Sequence, residues 1–302
     1  MIKIPPYLYP GDTIAITCPA GYMAADRATT CISTLQQWGY EVWVGKTLGN
    51  ESGNYFSGTD EERMEELQAM LDDSTIRAIL FGRGGYGLGR IIDKLDFKKF
   101  RKNPKWLIGF SDITVMHTHL LSNYRIASLH APMAGAFNVK SAVDSVLSLQ
   151  TALAGKKTSY SIPSHPFNKK GDVSGPLIGG NLALLAHVIG TVSDFDTKNK
   201  ILFIEDTGEY LYNVDRMLYQ FKRSRKFDKL AGLVIGGFTE MKDTVRPFGK
   251  TIHEIIRDVV AEYDFPVCYD FPVSHDEHNV ALKNGVAYRL KITAGKVQLK
   301  EA

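Results

Sequence analysis

The first half of the chain alternates short apolar runs with segments whose apolar residues recur at helical spacing. The apolar runs predict strands over 12–20, 41–46, 76–82 and 104–110. Helical spacing predicts a helix over 26–40 and another over 59–73, where Thr59 and Glu62 form a capping-box pattern. Strands separated by helices form parallel sheets, and ligands collect beyond the carboxyl ends of their strands. The predicted fold class is therefore α/β.

The pattern changes past the middle of the chain. A polar stretch containing proline and glycine predicts a linker over 158–174. Strand and helix patterns then alternate again, and the tail alternates in period two around Ala294-Gly295, which predicts a closing hairpin. We therefore expect two α/β domains, residues 1–157 and a smaller one over 175–302, with a cleft between them.

Composition narrows the possible partners. The 36 basic and 33 acidic residues form no basic tract with interleaved aromatic residues, so we expect no nucleic-acid partner. The longest apolar runs are strand-sized, so we expect no membrane span. Prolines interrupt the N-terminal residues, which do not resemble a signal peptide, and three scattered cysteines fit small buried hydrophobes in a reducing compartment. These features predict a cytoplasmic protein.

One serine lies at a predicted strand-to-helix turn. The apolar run WLIGF ends next to Ser111, and helical spacing begins immediately after it. Such a turn exposes the hydroxyl and directs backbone N–H groups at a reaction centre, as in a nucleophile elbow, although the second glycine of that motif is missing. Serine is also a favoured helix N-cap. Ser111 is therefore a candidate nucleophile, with a helix cap as the alternative.

The segment GRGGYGLGR, residues 82–90, follows the third predicted strand. Crowded glycines permit positive φ angles and a close approach of the backbone to a ligand. The segment lacks the Lys-Ser/Thr pair of a phosphate-binding loop, and no ribose-binding acid follows it. It could supply an N–H group to an oxyanion hole, or it could be a flexible turn.

Two acids and two histidines complete the candidate catalytic groups. Glu205 and Asp206 end an apolar strand, where a carboxylate could orient a histidine or cap the next helix. His275 and His278 follow a later strand, and histidine suits general-base catalysis near neutral pH, although loop histidines are often simply exposed. With Ser111, these residues make an acyl-transfer set in the order Ser, Glu, His.

The spacing of the histidines does not predict a metal site. His275 and His278 are three residues apart, and no further ligands stand at a familiar spacing. His117 and His119 are two residues apart, so on a helix they point to different sides. We expect no metal and no cofactor.

Taken together, seven motifs resemble the LD-carboxypeptidase family of serine peptidases. They are PGDTIAITCPA, YFSGTDEERMEEL, RGGYGLGRIID, IGFSDIT, LIGGNLALLAHVIGT, FIEDTGEYLYNVDRML and PVSHDEHNVAL, in this order along nearly the whole chain. The pair RGGYG and GFSD is the most specific. The resemblance implies a flavodoxin-like N-terminal domain that carries the nucleophile. The acid and the base would lie in the C-terminal domain, with the active site in the cleft between the two.

The resemblance also implies a Ser-Glu-His triad. Ser111 would be the nucleophile, Glu205 the acid that orients the base, and His275 the base, with Asn279 four residues after it as in the family. Ser274 stands where the family usually has glycine. Asp276, which replaces a residue that is often small, places an acid beside His275, and such an acid raises the pKa of a histidine.

Further roles complete the implied site. The backbone N–H of Asp112 and that of Gly84 or Gly85 would form the oxyanion hole. A carboxypeptidase must also bind a terminal carboxylate, and the guanidinium fork of Arg83 suits that task. The alternatives are that Arg83 lies on the surface or pairs with a nearby acid.

The implied reaction is hydrolysis of the bond to the C-terminal D-alanine of a murein tetrapeptide through an acyl-enzyme, as part of peptidoglycan recycling. The partner would be a small peptide and the protein a homodimer. An enzyme of the same fold could act instead on another amide, such as a microcin C-type aminoacyl-nucleotide. An inactive binding module would not need all three triad residues, and an α/β-hydrolase esterase would have a second glycine after the nucleophile and one larger sheet.

Overall fold

A computed structural model describes residues 2–302, which form two β-sheets flanked by helices. The N-terminal half supplies five strands: β1 Thr13–Thr17, β2 Glu41–Val44, β3 Ile76–Phe81, β4 Trp106–Gly109 and β5 Ser128–His130. They are parallel in the order β2-β1-β3-β4-β5, which is the flavodoxin-like order, so the predicted fold class is confirmed. Because β3 and β4 are neighbours, the segments that follow them meet at one edge of the sheet.

Five α-helices belong to this half of the chain. They are α1 Thr29–Gln37, α2 Asp60–Asp72, α3 Lys98–Lys102, α4 Thr114–Tyr124 and α5 Val143–Leu153. The predicted capping box is present at the start of α2, where Thr59 and Glu62 each accept the backbone N–H of the other. The first helix is shorter than the predicted 26–40: it ends at Gln37, and Gly39, two residues later, has a φ of +92° that favours glycine.

The second half contains eight strands and three helices. The strands are β6 Ser159–Pro163, β7 Gly171–Asn181, β8 Ile201–Thr207, β9 Gly232–Thr239, β10 Val267–Cys268, β11 Leu282–Asn284, β12 Ala287–Ile292 and β13 Lys296–Glu301. The helices are α6 Leu182–His187, α7 Leu211–Arg223 and α8 Ile252–Val260. Seven strands form the second sheet in the order β10-β9-β8-β7-β12-β13-β6, with β7 to β10 parallel and the others antiparallel. The predicted tail hairpin is β12-β13.

The predicted linker over 158–174 is wrong. This segment forms β6, which pairs with β13, and the beginning of β7, which pairs with β12. As an edge strand, β6 exposes or half-exposes every residue, and it ends at Pro163. Edge strands accept polar residues and proline because one side of their backbone needs no partner, so their composition matches that of a linker.

Strand β11 connects the two halves of the protein. Although it comes from the C-terminal half, it adds to the first sheet antiparallel to β5, with Leu282 opposite His130 and Asn284 opposite Ser128. Asn284 also accepts the N–H of Gly179 through its Oδ1 at 2.9 Å, which joins β11 to β7 of the second sheet. The loop just before β11 is thereby fixed above the carboxyl end of the first sheet. That loop carries His275.

The burial of the cysteines agrees with the expectation from composition. Cys18, Cys31 and Cys268 are buried free thiols, and burial raises the pKa of Cys18 and that of Cys268 to about 12, which keeps them protonated and unreactive. Within residues 2–302, no helix has both the length and the apolar character needed to cross a bilayer.

Candidate active site

The chain turns sharply between β4 and α4, and Ser111 lies at the centre of this turn. Its φ of +62° is a left-handed conformation that costs a non-glycine residue roughly 1–2 kcal/mol. A 3₁₀ turn over Ser111–Ile113 leads into α4, and neither begins with a side-chain cap hydrogen bond. The alternative that the Ser111 side chain caps the helix is therefore wrong. Ser111 instead lines a cavity of about 370 Å³.

The glycine-rich loop after β3 touches this turn. A Cβ on Gly84 would lie 2.8 Å from the Cβ of Ser111 and 3.2 Å from the backbone nitrogen of Asp112, so glycine is required. Gly85 has a φ of +94°. Within residues 2–302, the N–H groups of Gly84 and Gly85 donate to no other backbone group. The three residues predicted to form the oxyanion hole thus lie together beside Ser111.

The carboxylate of Asp112 holds the glycine-rich loop in place. Its Oδ2 accepts the N–H of Leu88 at 2.8 Å in a buried environment. Burial raises the pKa of Asp112 to about 6, against the opposing effect of hydrogen bonds from Leu88 and Gly87 and of the Arg63 charge. No sequence pattern predicts this side-chain contact of Asp112 with the loop.

Glu205 and His275 are directly bonded. Glu205 lies near the carboxyl end of β8 with no exposed surface, and its Oε2 lies 2.6 Å from His275 Nδ1. A carboxylate at this distance holds the proton on Nδ1 and leaves Nε2 free to accept another. The ring of His275 packs edge-on against Phe110, with ring centres 4.9 Å apart. Of the two acids in the sequence pattern, Glu205 is therefore the one that orients the histidine.

Nearby carboxylates raise the pKa of His275 more than burial lowers it. Burial lowers its pKa, but the charge and hydrogen bond of Glu205, together with the charges of Asp206 and Asp276, raise it, and the net shift is upward. The expected effect of Asp276 is therefore confirmed in direction.

Asp206 is buried beside Glu205 but points elsewhere. Its carboxylate accepts hydrogen bonds from Asn181 Nδ2 at 2.8 Å and from the N–H groups of Ala183 at 2.9 Å and Thr207 at 2.8 Å. Burial first, and then the charge of Glu205, raise its pKa to about 7 despite these hydrogen bonds. Asp206 thus fixes the start of α6 and does not contact the histidine.

Two cavities meet at the candidate site. Ser111 and His275 both line the cavity of about 370 Å³, although in residues 2–302 the Ser111 hydroxyl forms no hydrogen bond with the ring. A second cavity of about 350 Å³, which is more apolar, shares the side chains of Arg83, Phe110, Met133 and His275 with the first. Catalytic hydrogen bonds often shorten only when substrate is bound. The space at this junction can hold a small peptide.

Arg83 is exposed at the junction of the two cavities. Its Nη1 donates to the carbonyl of Tyr22 at 2.8 Å. Among the described residues no carboxylate lies within ion-pair distance of it, so the alternative that it pairs with a nearby acid is wrong. The guanidinium remains able to bind an anionic group of a ligand.

The His275 loop is held by its own side chains. Ser274 is buried, donates its hydroxyl to the carbonyl of His278 at 3.0 Å and accepts the N–H of Asp276 at 3.0 Å. A Cβ on Gly237 of β9 would lie 2.6 Å from the Cβ of Ser274. The serine that departs from the family pattern therefore fits because its neighbour on β9 is glycine.

Two buried histidines beneath the site were not predicted. His130 Nε2 donates to Asn279 Oδ1 at 3.0 Å, and His117 Nε2 lies 2.8 Å from the Gly109 carbonyl at the end of β4. Burial lowers the pKa of His117 to about 4 and that of His130 to about 3, so both are neutral at physiological pH. They support the two chain segments that carry Ser111 and His275. No local sequence pattern distinguishes them from exposed histidines.

A third histidine group lies outside the cleft. His165, His253 and Asp270 place their side-chain donor atoms within 4.8 Å of one another. His253 Nε2 contacts the Asp270 carboxylate at 2.8 Å, and His165 Nε2 lies 3.7 Å from it. Because His165 Nδ1 accepts the N–H of Phe167 at 3.1 Å, a neutral His165 carries its proton on Nε2. His253 is therefore hydrogen-bonded to Asp270, whereas His165 lies beyond hydrogen-bond distance of it.

The chain matches known proteins along nearly its full length. The family model described as LD-carboxypeptidase N-terminal domain matches residues 14–131, and the corresponding C-terminal domain model matches 174–290. A probable murein peptide carboxypeptidase of Bacillus subtilis is 32% identical, and the alignment covers 99% of this chain and 94% of that protein. A murein tetrapeptide carboxypeptidase of Pseudomonas aeruginosa is 28% identical over 90% of this chain and 91% of its own. The Escherichia coli microcin C7 self-immunity protein MccF is 25% identical over 96% and 94%.

Solved structures agree with these matches. The crystal structure of muramoyltetrapeptide carboxypeptidase from Oxalobacter formigenes superposes with a TM-score of 0.88 at 31% identity and covers 96% of this chain and 98% of its own. MccF in complex with aspartyl sulfamoyl adenosine superposes with a TM-score of 0.87 at 23% identity, which shows a shared fold. Both domain models match in order, and the relative that is 32% identical covers 99% of the chain. The protein is thus a member of the LD-carboxypeptidase family of serine peptidases.

Proposed function

We propose that this carboxypeptidase hydrolyses the bond to the C-terminal D-alanine of a murein tetrapeptide, with Ser111, Glu205 and His275 as its catalytic triad. The 2.6 Å bond between Glu205 and His275, facing the cavity that Ser111 lines, is the observation that carries the proposal. Relatives named as murein peptide carboxypeptidases support the substrate class.

The first half of the reaction forms an acyl-enzyme. His275 Nε2 accepts the proton of Ser111 as its Oγ attacks the scissile carbonyl carbon. Negative charge then develops on the carbonyl oxygen, where the N–H of Asp112 and that of Gly84 or Gly85 stabilise it. The buried carboxylate of Glu205 stabilises the imidazolium that forms. His275 gives its proton to the leaving amine, and free D-alanine departs.

The second half restores the enzyme. His275 takes a proton from water, the resulting hydroxide equivalent attacks the ester carbonyl, and Ser111 leaves with the proton that His275 returns. The same N–H groups stabilise the second oxyanion. No metal or cofactor takes part in this scheme.

The positive charge of Arg83 would direct the enzyme to the terminal residue of a peptide. It stands at the junction of the two cavities without an acidic partner within residues 2–302. A carboxylate bound there would place the last residue of the peptide next to the Ser111 turn. An internal peptide bond offers no such charge, so it would bind less tightly.

The alternative substrate is an aminoacyl-nucleotide. Of the residues that line the two cavities, Phe110 is the only Phe, Tyr or Trp in the described part of the chain, and His275 already packs against its ring. A nucleobase would therefore find little aromatic surface at this junction. This observation favours the peptide over the nucleotide.

We also propose that the protein acts in the cytoplasm as a homodimer in peptidoglycan recycling. The three buried free thiols suit a reducing compartment. Cell fractionation tests the compartment, and light scattering after gel filtration tests the dimer. A periplasmic location or a monomer at micromolar concentration would remove the corresponding part of the proposal.

A comparison of substrates tests the activity. Purified protein is incubated with a murein tetrapeptide that ends in an L-D bond, with a peptide that ends in a D-D bond, and with an aminoacyl sulfamoyl adenosine. We expect D-alanine release from the first at a much higher kcat/KM than turnover of the other two. If only the nucleoside derivative is hydrolysed, the proposed triad stands, but the proposed murein substrate is wrong.

A further inference from the structure

Two histidines and one aspartate from separate parts of the chain meet outside the catalytic cleft. His165 lies in the loop between β6 and β7, His253 in α8, and Asp270 just after β10. Their side-chain donor atoms all lie within 4.8 Å of one another. None of the three residues lines either cavity of the candidate active site. The proposed catalysis therefore gives this group no role.

Hydrogen bonding accounts for only one of the contacts in this group. Nε2 of His253 lies 2.8 Å from Oδ1 of Asp270, whereas Nε2 of His165 lies 3.7 Å from Oδ2, which is too far for a hydrogen bond. In a tetrahedral zinc site, bonds of about 2.0–2.2 Å place neighbouring ligand atoms roughly 3.3–3.6 Å apart. The observed separations lie on either side of this value, so small adjustments of the three side chains make room for one metal ion.

The carboxylate of Asp270 has no permanent positive partner. Within residues 2–302, no lysine or arginine lies within 4.0 Å of it, so the two histidines are its only basic neighbours at that distance. Arg257 lies one helical turn after His253 in α8. Its guanidinium packs over the ring of Phe167 at 4.8 Å and pairs with Asp258 at 3.0 Å instead. A negative charge beside two imidazole rings attracts a divalent cation.

The loop that carries His165 is held against the end of β10. Asn168 Oδ1 accepts the N–H of Tyr269 at 2.8 Å. The ring of Tyr269 packs against both histidine rings, with its centre 5.5 Å from that of His165 and 5.7 Å from that of His253. Packing therefore positions the two rings before any ligand binds. The side chain of Asp270 is more than half exposed, which leaves an approach from solvent.

We propose that His165, His253 and Asp270 form a binding site for one divalent transition-metal ion, with Zn²⁺ as the preferred occupant. Imidazole nitrogen and carboxylate oxygen are ligands that zinc takes, and a water molecule completes the tetrahedron. The metal takes the place of the Nε2 proton of each histidine, and that proton moves through solvent to Nδ1. In His165 this change gives up the hydrogen bond from the Phe167 N–H at 3.1 Å. The bound ion ties α8 to two loops of the C-terminal half.

Zinc titration of the metal-free protein tests the site. The protein carries no affinity tag, is stripped with EDTA and is exchanged into buffer before isothermal titration calorimetry with Zn²⁺. We expect one Zn²⁺ per chain and no binding of Mg²⁺, which prefers oxygen ligands. His165→Ala and His253→Ala should each weaken zinc binding by about 100-fold or more, since even the outer partners of metal ligands are worth about 10- to 100-fold. His187→Ala, which removes an exposed histidine of α6, should bind zinc as the wild type does.

Two further readouts separate a lost ligand from a folding defect. Nitrogen NMR of the histidine rings in the wild type should show zinc-dependent shifts at Nε2 of His165 and His253 and none at His187. Zn²⁺ should also raise the unfolding temperature of the wild type, because a metal that binds only the folded state stabilises it. The unfolding temperature of His253→Ala in EDTA checks its fold, and added Zn²⁺ should leave that temperature unchanged.

Several results would overturn the metal site. The absence of saturable Zn²⁺ binding to the wild type would leave only a hydrogen-bonded pair of His253 and Asp270. Wild-type zinc affinity in His165→Ala or His253→Ala, or zinc-dependent shifts at other histidines, would place the metal elsewhere. None of these measurements uses peptide hydrolysis, so their outcome is independent of the proposed function.

Discussion

Replacement of Glu205 by glutamine tests the orientation of His275 most sharply. The change keeps the volume of a side chain that has no exposed surface and removes its charge from the 2.6 Å contact with Nδ1. The amide either accepts the Nδ1 proton weakly or donates its own N–H, which turns the histidine to the wrong tautomer. We expect kcat to fall by about 10³- to 10⁴-fold, equal to roughly 4 to 5.5 kcal/mol of transition-state stabilisation.

The pH profile supplies a second readout of the same variant. The charge and hydrogen bond of Glu205 raise the pKa of His275 against the effect of burial. The base must be neutral to accept the serine proton, so kcat/KM rises with pH through this pKa. Glu205→Gln should shift the acidic limb of kcat/KM to lower pH while the plateau falls. The assay is D-alanine release from a murein tetrapeptide between pH 4 and 9.

The unfolding temperature of Glu205→Gln shows whether its loss of activity comes from unfolding. In the described residues Oε1 of Glu205 is buried without a hydrogen-bond partner, so the carboxylate carries an uncompensated burial cost. Glu205→Gln should therefore unfold at the wild-type temperature or above it. Activity within tenfold of wild type, with an unchanged acidic limb, would refute the orienting role of Glu205.

Substitutions at four positions of the site supply further tests. Arg83→Ala and Arg83→Lys should both raise KM for the tetrapeptide, by about tenfold for alanine. An unchanged KM in both variants would show that Arg83 does not bind the terminal carboxylate. Gly84→Ala should lower kcat by about 100-fold because its Cβ would lie 2.8 Å from that of Ser111, whereas Gly295→Ala, with no atom within 4 Å, should be silent. In urea unfolding, the free energy of unfolding of Ser111→Gly should exceed that of Ser111→Ala by about 1 kcal/mol, because glycine adopts a φ of +62° without strain. Equal free energies would show that the turn is not strained. Asp206 holds its proton up to about pH 7 in the folded state but ionises near 3.8 when unfolded, so wild type loses stability as pH rises through this window. Asp206→Asn should lose less between pH 4 and 7 in urea titrations, and an identical slope would contradict the buried, protonated carboxyl.

The elements that depend on local sequence were predictable. The strands of the first half follow from short apolar runs, and the capping box at Thr59 and the tail hairpin follow from residues close together in the sequence. The composition of segment 158–174 predicts a linker because edge strands and loops have similar compositions. Only tertiary structure separates them, since the edge strand is defined by its pairing with β13.

The candidate site was predictable to a similar extent. The turn at Ser111 and the acid at the end of β8 follow from the strand pattern and the family resemblance. The strand pattern alone does not decide between Glu205 and Asp206, because adjacent residues in a strand point to opposite faces. The family resemblance selects Glu205. The three-residue strand β11, which fixes the loop carrying His275, is too short for any periodicity to predict.

The most direct test of the account is to measure D-alanine release from a murein tetrapeptide by wild type and Ser111→Ala under identical conditions, with mass spectrometry of the quenched wild-type enzyme. The account predicts that the variant loses about 10⁴-fold or more in kcat. It also predicts that the wild-type enzyme carries the tripeptide acyl group on Ser111. Activity of Ser111→Ala within tenfold of wild type, or an acyl group on a different residue, would contradict the central role of this serine.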